Sequence, residues 1–128
     1  MGIRHLRDPQ EVTTSLIRLA ARALGETYNE WESGFDYGPC EDDPQERMIC
    51  LFSPHTESEH ALEMLIDLRL SIHFEGRTVV VSRPDMDPVR YVLDEETPSQ
   101  GALSNSTTYK DVRRAILIAA ASLGSRLP

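Results

Sequence analysis

Lysine is almost missing from this 128-residue chain: Lys110 stands alone beside twelve arginines. Cysteine is scarce as well. Cys40 and Cys50 are too few for a disulfide framework, so both are expected as free thiols in a reducing compartment, Cys50 inside the core. No apolar run approaches the roughly 18 residues of a membrane span, which excludes a transmembrane helix. The opening residues M-G-I-R-H-L-R-D-P hold no apolar stretch of the secretory kind, and a cytoplasmic location is expected. Positive charge is in deficit, with a net −8 at neutral pH. A surface of that sign is repelled by phosphate backbones, so direct binding of nucleic acid is not expected. The chain also lacks G-x-G-x-x-G, G-x-x-x-x-G-K-[ST] and G-x-S-x-G, hence the usual signatures of dinucleotide, nucleoside triphosphate and serine-hydrolase chemistry.

What is present is an apolar fraction of 40%, ordinary for a globular chain, and enough residues for one domain with a real core. Organisation is clearest at 52–72, F-S-P-H-T-E-S-E-H-A-L-E-M-L-I-D-L-R-L-S-I. Thr56 and Glu59 have the T-x-x-E spacing of a capping box, and Ala61, Leu62, Leu65, Ile66 and Leu68 follow at helical spacing. Glu59, Glu63 and Asp67 line the opposite face. After Arg69 the period changes to two, with Leu70, Ile72 and Phe74 alternating against Ser71, His73 and Glu75.

Around this centre, a first helix is expected over 9–24, with Asp8 as cap, Pro9 in the first turn, Val12, Leu16, Leu19, Ala20 and Ala23 on the buried face, and Gly25 just past the end. A short strand is expected at 28–31, loop at 33–44, and a strand at 47–52. Residues 70–75 and 77–83 should form a hairpin, with either Val79 and Val81 or Thr78 and Val80 facing the core. A further strand at 89–93 precedes a loop-like stretch at 94–107. A last helix begins at Thr108 and ends at Gly124, burying Val112, Ala115, Ile116, Ala119, Ala120 and Leu123. The expected fold class is α+β: one domain, an α-β-α layered sandwich of three helices and a mostly antiparallel sheet of four to five strands.

Three stretches in this order, L-I-R-L-A-A-R-A-L-G (16–25), F-S-P-H-T-E-S-E-H-A-L-E-M-L (52–65) and R-R-A-I-L-I-A-A-A-S-L-G (113–124), make the chain resemble the small phage and prophage proteins of the phage ABA sandwich domain. The chain departs from that pattern in Glu57 where Asp is usual, in the acidic segment after Gly25, and in the long loop before the last helix. The resemblance implies the layered fold and a phage or prophage origin, hence the host-cell cytoplasm. It implies no reaction, and no catalytic residue is carried over.

The segment 26–46 holds Glu26, Glu30, Glu32, Asp36, Glu41, Asp42, Asp43 and Glu46 with no Lys or Arg, and interleaves Tyr28, Trp31, Phe35 and Tyr37. It reads either as a solvated loop with Trp31 packed beneath or as a partner-binding surface, since aromatics among carboxylates suit an Arg/Lys-rich protein face. The functional expectation is a non-enzymatic accessory protein that binds a basic host or phage protein through Trp31, Glu41, Asp42, Asp43, Glu46, Glu59, Glu63 and Asp67, for instance inhibiting a host defence or nucleic-acid-handling complex. No catalytic residue, metal or cofactor is expected: His55 and His60 are not at the i, i+4 spacing of a helical ligand pair, and a capping turn accounts for Thr56 between Ser53 and Ser58. The alternative expectation is a small ligand-binding or hydrolytic domain with a pocket near Trp31, His55 and His73. A third is a homodimer paired through the edge of the 77–83 strand.

Overall fold

The computed structural model describes residues 9–93 and 107–127. The expected Asp8 cap, the side chain of Val12 and the expected loop before the last helix lie outside the described residues, apart from Thr107, which opens that helix. In chain order the elements are α1 (Pro9–Ala23), β1 (Tyr28–Asn29), β2 (Gly34–Pro39), β3 (Arg47–Leu51), α2 (Ser58–Asp67), β4 (Ser71–Glu75), β5 (Thr78–Ser82), β6 (Val89–Val92) and α3 (Thr107–Ser125). The class is α+β with three helices. The strands form two antiparallel sheets of three, ordered β1-β2-β3 and β4-β5-β6, rather than one sheet of four to five. After β3 a turn at Pro54 sends the chain into α2, and among the described strands β2 and β3 pair only with each other and β1.

Helix α1 buries Leu16, Ile17, Ala20 and Ala21. It stops at Gly25, whose φ of +77° is the left-handed geometry glycine adopts without cost. The N–H of Gly25 donates to the Arg22 carbonyl at 3.0 Å and that of Glu26 to the Ala21 carbonyl at 2.9 Å, the paired bonds of a Schellman ending.

Helix α2 begins later than its sequence suggests. Glu57, not Thr56, is the N-cap, and no side chain caps the helix. The Thr56 hydroxyl instead donates to the Ser53 carbonyl at 3.4 Å, which also receives the Glu57 N–H at 2.8 Å. The Ser53 N–H in turn donates to His60 Nδ1 at 2.8 Å. Local backbone bonding and His60 therefore fix the entry, which leaves the threonine occupied inside the preceding turn.

In the second sheet β5 is central. Val79, Val80 and Val81 are all buried, and Val79 and Val81 join the main core. Val80 lies on the opposite face, in register with His73 and Arg90.

The centre of the molecule is α3. Its residues 115–121 are buried without exception, including Leu117, Ile118 and Ala121 beyond the single expected face. The cause is that α3 packs on α1, on α2 and on strands β5 and β6 together. A helix apolar all round is a helix enclosed. Gly124 does not terminate it. It lies within α3 where α1 passes so close that a Cβ would fall 1.7 Å from the Leu19 carbonyl oxygen.

Candidate functional site

The first sheet carries most of the segment singled out by sequence. Residues 33–44 are not a plain loop: β2 pairs with β3 through Gly34 with Leu51, Phe35 with Cys50, and Asp36 with Ile49. The F-D-Y alternation was the available signal, masked by flanking Gly and Pro. Gly34 is needed there, because a Cβ would lie 2.4 Å from the Cys50 carbonyl oxygen. The sheet is tied to the body through Phe35, which stacks on buried Phe52 at 4.3 Å between ring centroids, and Phe52 stacks in turn on His60.

Asp36 organises the middle of the sheet. Its carboxylate accepts the Gly38 N–H at 2.9 Å, Arg47 Nε at 2.8 Å and Asn29 Nδ2 at 3.3 Å. The backbone donor first, then Arg47 and Asn29, hold its pKa below the usual carboxylate value against the opposing effect of burial. Asn29 uses its side-chain oxygen to accept the N–H groups of Trp31 at 3.0 Å and Glu32 at 3.1 Å. Glu30 pairs with Arg18 of α1 at 2.7 Å. The turn between β1 and β2 is thus braced from both sides while Trp31 at its tip is 89% exposed. Trp31 does not pack beneath the segment.

At the other end of the sheet, the turn between β2 and β3 is closed by the Cys40 N–H to the Glu46 carbonyl and the Glu46 N–H to the Asp43 carbonyl. Glu41, Asp42, Asp43 and Glu46 are all exposed. Strand β2 separates this acidic tip from Trp31 by about 20 Å at ~3.3 Å per residue. Glu59, Glu63 and Asp67 are exposed along α2, on a different element. The eight proposed residues are therefore all solvent-facing but do not converge on one point. Sequence reasoning missed their apolar neighbours. Leu51 is 67% exposed, Tyr37 and Met48 are exposed too, and Cys50 is exposed rather than in the core. A short apolar run reads alike whether it is a buried strand or an edge, and here β3 is an edge.

Of the residues around which a pocket is expected, Trp31 is in the turn between β1 and β2, His55 in the turn before α2, and His73 on β4. They lie on three separate elements and line none of the hollows described here. His73 is on β4, bonded to Glu75 at 2.8 Å, with Arg90 on the same carboxylate at 2.9 Å. These two donors hold the Glu75 carboxyl below its usual pKa. His55 is half-buried, and burial first, then Arg113 and Arg114, push its pKa down. Its Nδ1 is buried without a partner among the described residues. Arg113 is buried and donates to the His55 carbonyl at 3.2 Å and to Ser58 Oγ at 2.9 Å, joining α3 to the entry of α2. An apolar hollow of about 360 Å³ between α2 and α3 is lined by Ala61, Leu62, Leu65, Phe74, Tyr109 and Ile116, among others. Two polar hollows near the end of α3 share Asp85 and Arg126.

Among the described residues no three His, Cys, Asp or Glu side chains gather as metal ligands would, and no helix is long and apolar enough to cross a membrane. No family model, curated protein or solved structure matches the chain.

Proposed function

We propose that this protein is a binding module without catalytic activity that recognises a basic protein through its first sheet. The observation that carries the reading is Trp31, 89% exposed on a turn held in place by Asn29 and by the Glu30–Arg18 pair. A large aromatic presented rigidly to solvent is the kind of side chain that anchors an interface, because it buries much area with little ordering cost. Charge sets the sign of the partner. Residues 26–52 hold eight carboxylates and Arg47 alone, a formal −7 of the chain's −8. The acidic tip of Glu41, Asp42, Asp43 and Glu46 then speeds the approach of a basic face, and Trp31 holds it. A phage or prophage accessory role against a host defence or nucleic-acid-handling complex is the version favoured by the sequence resemblance, since such complexes carry basic surfaces.

The test is an affinity capture from bacterial lysate with tagged protein, run beside Trp31→Ala and the quadruple replacement of Glu41, Asp42, Asp43 and Glu46 by alanine. The expected result is a basic partner held by the parent chain and lost with each variant, its association slowing as salt rises. Capture of no basic protein, or of one that both variants retain, would remove the reading.

A further inference from the structure

Among the described residues the first sheet is open along one side. Its order makes β3 an edge strand. The Phe52 N–H donates to the Ser33 carbonyl at 2.9 Å, so Phe52 and Ser33 form a hydrogen-bonded pair. The antiparallel ladder alternates from there: Cys50 exchanges bonds inward with Phe35, while the N–H and C=O of Ile49 and Leu51 point away from β2. No main-chain group among the described residues meets them. Sheet edges are commonly protected by charge, by proline or by a bulge. Met48, Ile49, Cys50 and Leu51 have neither charge nor proline, and the register shift lies back toward the hairpin tip, between Asp36 and Pro39. By contrast β4 presents His73 and Glu75, and β6 presents Arg90 paired to Glu75.

Electrostatics chooses the occupant. A second copy would set a −7 sheet against another −7 sheet, with repulsion at the contact itself. A basic partner reverses that sign. The carboxylates flank β3 at both ends, Glu41, Asp42, Asp43 and Glu46 before Arg47, and Glu30 and Glu32 in the turn that closes on Phe52. Between them, past Arg47 in its pair with Asp36, residues 48–51 are apolar on both faces, with Ile49 and Leu51 on one and Met48 and Cys50 on the other. We infer that β3 accepts an added strand from the partner: an extended apolar stretch with Lys or Arg at each end, bonded to the outward N–H and C=O groups of Ile49 and Leu51. This rests on the protein-binding reading above and deepens it, because it names the strand and the main-chain atoms that would be engaged.

Amide hydrogen exchange of the whole protein tests it, with the end-blocked peptide Arg-Lys-Val-Thr-Val-Thr-Val-Lys-Arg as probe. Two controls accompany it: the same peptide N-methylated on alternate residues, and one with Glu in place of every Lys and Arg. At saturation the Ile49 and Leu51 amides should exchange at least ~10-fold more slowly, in the range of ladder amides, with little change at Cys50, already bonded inward. The methylated and acidic peptides should bind at least ~10-fold more weakly. Ile49→Pro, which removes one outward donor at a position where an edge strand tolerates proline, should weaken the probe while leaving the fold intact. Equal binding of the methylated peptide with unprotected edge amides would overturn strand addition yet leave an acidic binding surface standing. Protection of the edge in the absence of peptide, together with a dimer by light scattering, would overturn the choice of occupant. Failure of the basic peptide to bind at all would overturn the inference, whereas the lysate capture reports separately on the broader reading.

Discussion

Gly124→Ala is the sharpest test of how the helices are assembled. A Cβ at this position would sit 1.7 Å from the Leu19 carbonyl oxygen, 2.7 Å from the Leu19 carbonyl carbon and 3.3 Å from the Ala23 nitrogen. All three are backbone atoms, so no side chain can swing aside. Ordinary carbon–oxygen contact needs about 3.3 Å, and α1 and α3 must separate locally by about 1.5 Å. A gap of even 0.5–1 Å forfeits about a quarter to a half of the dispersion attraction across it. The affected seam includes Leu16, Ala20 and Ala120, all buried. Overpacking of this type costs about 1–3 kcal/mol and occasionally more, while alanine's better helix propensity returns at most about 1 kcal/mol. The expected net loss is about 2 kcal/mol. It should appear as a urea midpoint lowered by ~1 M at unchanged slope, and as a melting temperature lower by roughly 6–10 °C. A variant as stable as the parent within ~0.5 kcal/mol would refute the close approach, because propensity alone would then be deciding the outcome.

Trp31→Ala should change stability by less than ~0.5 kcal/mol, as expected for a side chain standing in water, and urea unfolding measures it. Trp31 is also the single tryptophan, so its emission should resemble that of free tryptophan and shift to the blue when a partner covers it. Arg113→Met should cost about 1–3 kcal/mol, since the His55 carbonyl and Ser58 Oγ lose their donor, and the same unfolding assay reads it. His55 has its pKa lowered in the folded chain, so the unfolded chain binds the proton more readily: its contribution is complete above pH ~6.5 and is lost on acidification below that. His55→Gln should flatten the stability profile on the acid side of pH ~6.5. The Arg83 guanidinium bonded to Asp85 depresses that carboxyl to about 2, so the pair's contribution is present above the ordinary value of 3.8 and lost as pH falls through about 2. The Asp85 carboxyl carbon should titrate near that value by NMR and return toward 3.8 in Arg83→Met.

The elements that could be read from sequence are those whose signal is local. Gly25 ends α1 as its spacing implies, and the switch at Arg69 from a period of about 3.6 to a period of two marks the passage from α2 to β4. What escaped depended on neighbours distant in the chain. One-faced periodicity assigns α3 a single buried side. Leu117, Ile118 and Ala121 are buried because sheet and helices close around it, and the unbroken A-I-L-I-A-A-A run was the only hint. Thr56 has the right spacing for a cap, but Ser53 and His60 take over the turn. Strand β3 illustrates the same limit at the surface: M-I-C-L fits a buried strand, and only the pairing order shows that no strand among the described residues lies beyond it. Trp31 and the acidic tip were both named from composition, yet their separation by the length of β2 required the hairpin to be known.

The enclosed position of α3 also bears on the order of synthesis. This helix leaves the ribosome after β1–β6, α1 and α2, yet it supplies the surface on which α1, α2 and β5 bury their apolar sides. The bond from Arg22 to the Leu127 carbonyl spans 105 residues. A nascent chain that stops short of α3 lacks Ala115 to Ala121, the part of the core cluster that Leu16, Met64 and Val79 share. Completion of the shared core then awaits α3, because contacts between elements distant in the chain can form only once both have been made.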